Sequence, residues 1–64
     1  MDSVRGLSSR TAKLVYLYLS ERGAATADEL SAALDEQLLR LLPACRRLVE
    51  AELVEQRGDR YTAV

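Results

Sequence analysis

The chain has no histidine, tryptophan or phenylalanine, one cysteine, one methionine and one proline in 64 residues. Each scarcity excludes something. Without histidine and with Cys45 alone, a zinc site of several nitrogen and sulfur ligands cannot be assembled, and no internal disulfide can close. No apolar run approaches the roughly 18 residues of a membrane span. The opening Met1-Asp2-Ser3 leads into no apolar signal-peptide region, so an intracellular, cytoplasmic setting is the expectation. A charge excess is missing too. Nine basic residues stand against ten acidic ones, a formal net charge of -1, where dedicated DNA-binding domains are usually basic. Catalysis is not expected: there is no histidine base, no glycine-rich phosphate loop and no paired carboxylates on one surface. Neither a cofactor, a metal nor a small-molecule ligand is implied.

What is present is apolar content, 48% of the chain, enough for an ordered core rather than a disordered tract. The length allows one domain, and one that gains from association because it buries only about 60% of its unfolded surface. Residues 1–9 read as a flexible N-terminal arm, carrying Arg5. Ser8 or Ser9 can cap a first helix from about Arg10 to Glu21, with Ala12, Val15, Tyr16 and Leu19 at helical spacing. Leu14, Leu17 and Tyr18 carry its apolar surface beyond one stripe. Gly23 ends it, and Ala24-Ala25 is short enough to pair briefly with a later strand.

Thr26-Ala27-Asp28-Glu29 is a capping box. It opens a short helix to about Ala33, with Leu30, Ala33 and Leu34 inward and Asp35 as N-cap of the next helix. That third helix is expected from about Glu36 to Ala51. Leu38, Leu41, Cys45 and Leu48 form its apolar stripe, widened by Leu42 and Val49. Arg40 and Arg47 lie opposite, near Glu36, Pro43 and Ala44. Pro43 removes one helical hydrogen bond and predicts a kink or a break. Leu53 to Val64 reads as a hairpin turning at Arg57-Gly58-Asp59, where Gly58 supplies the positive φ of a tight turn. The fold class is therefore mainly α with a small β-hairpin: three helices and a C-terminal wing over residues 10–64.

From Thr26 onward the spacing resembles the winged helix-turn-helix of small bacterial and archaeal transcription regulators, the MarR-like and ArsR-like repressors. Thr26, Glu29-Leu30, Ala33-Leu34, Leu41, Leu48, Leu53-Val54 and the turn Arg57 to Tyr61 carry the likeness. The resemblance implies a transcriptional regulator that binds double-stranded DNA as a homodimer. Helix three would enter the major groove with Gln37, Arg40, Arg46 and Arg47, and Arg57 and Arg60 would meet phosphates or the minor groove. The chain departs from the pattern in three places. Glu52 stands where the family has glycine, Glu36 where it has a small apolar residue, and leucines occupy half of the groove-facing positions.

Those departures keep a second reading open. Residues 36–48 are locally +2, residues 1–13 are +2, residues 21–35 are -3, and the wing is neutral. Twelve leucines are more than a three-helix core of this size readily holds. Leu14, Leu17, Tyr18, Leu38, Leu39 and Leu42 are thus candidates for a homodimer or partner interface. If Leu38, Leu39 and Leu42 serve a protein, the domain is a winged-helix interaction module with no DNA function. Cys45 is expected in the core as a small hydrophobe.

Overall fold

A computed structural model describes residues 10–64; the arm expected over residues 1–9, with Arg5 and the serine caps, lies outside the described residues. The order is α1 (Arg10–Arg22), β1 (Ala24–Thr26), α2 (Ala27–Leu34), α3 (Leu38–Glu50), β2 (Val54–Arg57) and β3 (Arg60–Ala63). The three strands form one antiparallel sheet in the order β1-β3-β2. The fold is mainly helical with a wing-like C-terminal hairpin, the layout of a winged helix. The short Ala24–Thr26 strand pairs with β3, Ala25 against Tyr61 and Thr26 against Arg60, so the wing is tied to the start of α2.

Each helix places one stripe in a common core. Ala12, Val15 and Leu19 of α1, Leu30 of α2, and Leu41, Ala44, Cys45 and Leu48 of α3 are buried. Ala25, Val54 and Tyr61 close it from the sheet. The buried valine and leucine side chains contribute about 1.5–3 kcal/mol each, and no charged or polar residue is buried among those described.

Two alanines exchange the roles expected of them. Ala33 is exposed, whereas Ala44 is only 3% exposed and packs inward. The most extensive packing between helices is of α3 on α1.

The connection between α2 and α3 also differs from expectation. Asp35 is the C-cap of α2, not the N-cap of α3, and its backbone is left-handed (φ 54, ψ 46). Its amide donates to the Ser31 carbonyl, as does the Glu36 amide at 3.1 Å. The Ser31 hydroxyl donates to the Glu36 carbonyl. Aspartate tolerates this conformation better than most non-glycine residues. The N-cap of α3 passes to Gln37, which is extended and offers no side-chain cap; its carbonyl accepts the amides of Arg40 and Leu41 at 3.0 and 2.9 Å.

Helix α3 runs without a break from Leu38 to Glu50 through Pro43. Leu39 and Pro43 both lie on its exposed side. The carbonyl that loses its amide partner to the proline ring is therefore within reach of water, which lowers the cost of the residue there. The helix ends in a Schellman motif. The Leu53 amide donates to the Leu48 carbonyl and the Glu52 amide to the Val49 carbonyl, both at 3.0 Å. Glu52 takes the left-handed position of this motif with φ 63, the place where the family resemblance calls for glycine.

Candidate nucleic-acid interface

The orientation of α3 follows from its buried stripe. With Leu41, Ala44, Cys45 and Leu48 inward, a turn of about 100° per residue puts Leu39, Pro43, Arg46 and Glu50 at the centre of the outer face. Leu38, Leu42 and Val49 form one shoulder, and Arg40 and Arg47 the other. Gln37 is exposed at the helix start. All three α3 arginines are exposed, and none of their side chains has an ion pair or hydrogen bond among the described residues. Helix α3 carries these three positive charges against Glu50, a local excess of two.

The wing contributes unequally to this surface. In β2 and β3, Val54 pairs with Ala63, Gln56 with Tyr61 and Arg57 with Arg60. Side chains of paired residues share a face, and faces alternate along a strand. Gln56 and Tyr61 therefore lie on the face toward α3. Glu55, Arg57, Arg60 and Thr62 lie on the opposite one. A shallow hollow on the α3 side is lined by Leu42, Pro43, Arg46, Arg47, Val49, Glu50, Gln56 and Tyr61. The structure thus brings Arg46 and Arg47 together with the wing through Gln56. Arg57 and Arg60 stand beside each other on the outer face of the hairpin, flanking the turn at Gly58-Asp59. Arg57 Nε lies 3.6 Å from Glu55 Oε1, with both side chains well exposed. A pair so placed contributes little and leaves the guanidinium free to exchange partners.

Gln56 is a residue that the sequence reading passed over. Its Nε2 donates to the Gly58 carbonyl at 3.2 Å, which holds the amide at the wing turn. The signal was available in the period-two alternation that puts Gln56 on the same strand face as Val54.

A second hollow lies toward the wing tip, lined in part by Asp28, Leu38, Leu42, Gln56 and Asp59. Here two carboxylates flank the leucine shoulder. The surface therefore has acidic and apolar character around Leu38 and Leu42 and mainly basic character around Arg46 and Arg47. Asp28, from the acidic stretch noted in the sequence, thus adjoins Leu38 and Leu42.

All the apolar candidates except Tyr18 are exposed: Leu14, Leu17, Leu38, Leu39 and Leu42, with Leu39 at 84%. Tyr18 is half-buried, packs against the core and lies under the Arg22 guanidinium, 5.6 Å from ring centroid to Cζ. Cys45 is fully buried, and desolvation pushes its thiol up to about 11, so it is a packing residue held in its neutral form. No group of three or more His, Cys, Asp or Glu able to hold a metal occurs among the described residues. No helix among them is long and apolar enough to cross a membrane. The chain matches no protein-family model, no curated protein and no solved structure.

Proposed function

We propose that this domain binds double-stranded DNA as a small winged-helix transcriptional regulator, with the outer face of α3 directed at the major groove. The observation that carries the reading is the set of exposed, unpaired arginines on α3, Arg40, Arg46 and Arg47, in a chain with no overall positive charge. Within α3 itself the only carboxylate is Glu50, and none of the three guanidiniums is ion-paired among the described residues. Such guanidiniums suit phosphate oxygens and the guanine edge, and Gln37 and Gln56 suit adenine or backbone contacts. Arg57 and Arg60 at the wing turn add phosphate contacts from the other side of the hairpin.

The test is binding to random-sequence duplex DNA at low and moderate salt, with an Arg40→Ala, Arg46→Ala, Arg47→Ala triple variant alongside. Micromolar or tighter binding that weakens with salt and is lost in the variant is the expected result. No binding at low salt, where phosphate contacts are strongest, overturns it.

A second reading rests on a specific observation, the 84% exposure of Leu39 at the centre of the same outer face, beside Leu38 and Leu42. In that reading the face engages a protein. Leu39→Arg separates the two: it strengthens DNA binding by adding a charge to the face, and abolishes binding to an apolar partner.

A further inference from the structure

We propose that the outer face of α1 is a self-complementary surface that takes a second copy of this chain. The copies would lie antiparallel about a twofold axis between Leu14 and Leu17. The inner side of α1 is occupied, since Ala12, Val15 and Leu19 are completely buried. At about 100° per residue, Arg10, Leu14, Leu17 and Glu21 fall within roughly 60° of one another on the opposite side. All four are exposed, Leu14 at 37% and Leu17 at 58%. Their four-three-four spacing is that of the narrow seam by which two helices pair. Tyr18 lies off this seam, engaged with the core and with Arg22.

The charges choose both the partner and its direction. In a twofold antiparallel pair, residues equidistant from the axis meet. The centre that sets Leu14 against Leu17 of the second copy also sets Arg10 against Glu21, at both ends of the seam. A parallel pair would set Arg10 on Arg10 and Glu21 on Glu21. The stripe therefore complements itself in one orientation only, which is the requirement of an isologous interface. A shallow crossing of about 20° keeps the ends within side-chain reach over a helix roughly 20 Å long. One helix pair is smaller than a standard interface of about 1,600 Å², so the association is a reversible one.

This proposal does not rest on DNA binding, and its test contains no DNA. Sedimentation of the full chain is followed across the micromolar range for wild type, Arg10→Glu, Glu21→Arg, and an equimolar mixture of the two variants. Each single reversal puts like charges at both ends and raises the dissociation constant about tenfold. In the mixture, opposite charges meet again at both ends, so heterodimers form with near-wild-type affinity. Leu17→Lys abolishes association in every combination. Both charged positions are exposed, and thermal melts of each variant establish that it is folded. A wild type that stays monomeric overturns the proposal. So do single reversals that associate like wild type, or a mixture no tighter than its components.

Discussion

Thr26 and Glu29 satisfy each other's backbone: the Thr26 hydroxyl oxygen accepts the Glu29 amide at 3.1 Å, and a Glu29 carboxylate oxygen accepts the Thr26 amide at 2.9 Å. Thr26 is at the same time the last residue of β1, paired with Arg60. One residue therefore starts α2 and ties it to the wing. Thr26→Ala removes the cap and leaves the strand's backbone pairing intact. It is expected to cost about 1 kcal/mol, or a fall in melting temperature of roughly 4–8 °C for a domain this small. Thr26→Ser retains most of the stability. An alanine variant that melts with wild type would show that the box is ornamental.

Glu52 occupies a left-handed position that costs a residue with a Cβ about 1–2 kcal/mol. Glu52→Gly relieves this but loosens the unfolded chain, an opposing effect of about 0.4–1 kcal/mol. The net expectation is a gain of roughly 0.5–1 kcal/mol, seen as a higher urea midpoint at unchanged slope. The Schellman hydrogen bonds from Glu52 and Leu53 are main-chain bonds and survive the change. A midpoint that stays put or falls would mean that the carboxylate supplies something the backbone geometry does not reveal.

The thiol of Cys45 gives stability a pH dependence in the alkaline range. Burial raises its pKa from the ordinary 9.0 to about 11. Below the lower value the thiol is neutral in both states, and its contribution is constant. Above it the unfolded chain ionises first, so the folded state binds more protons and stability falls as pH rises, levelling off beyond about 11. The difference in proton affinity between the folded and unfolded thiol makes the loss roughly 2–3 kcal/mol over this window. The Tyr61 phenol is raised as well, first by burial and then by the neighbouring Cys45, so its titration adds a slope of the same sign. Melting temperatures measured from pH 8 to 11 should fall more steeply for wild type than for Cys45→Ala. Parallel curves would remove the thiol as the cause.

Much of the candidate site was legible in the order of residues. The leucines singled out on spacing, Leu14, Leu17, Leu38, Leu39 and Leu42, are the large apolar side chains found exposed within the helices. Helical periodicity and a surplus of leucine over core volume sufficed to pick them. The arginines of α3 were equally readable, because a charged side chain without a buried partner stays at the surface. What the spacing could not supply was the relation between elements. Gln56 faces α3 while Arg57 and Arg60 face away from it, and Asp28 and Asp59 adjoin the leucine shoulder. Each of these depends on how the sheet docks.

The sequence by itself determined the local events: the capping box at Thr26, the stop at Gly23, the turn at Gly58, and most of the apolar stripes that the helices bury, Leu38 excepted. These depend on neighbours a few residues apart, whose hydrogen bonds and side-chain geometry are complete within the segment. Only the tertiary structure decided that Asp35 ends α2 and leaves the cap of α3 to Gln37, that Ala44 rather than Ala33 is buried, and that α3 continues through Pro43. Each depends on how α3 docks on α1 and α2, which buries Leu41, Ala44, Cys45 and Leu48 in the common core and fixes what its ends and outer face can do.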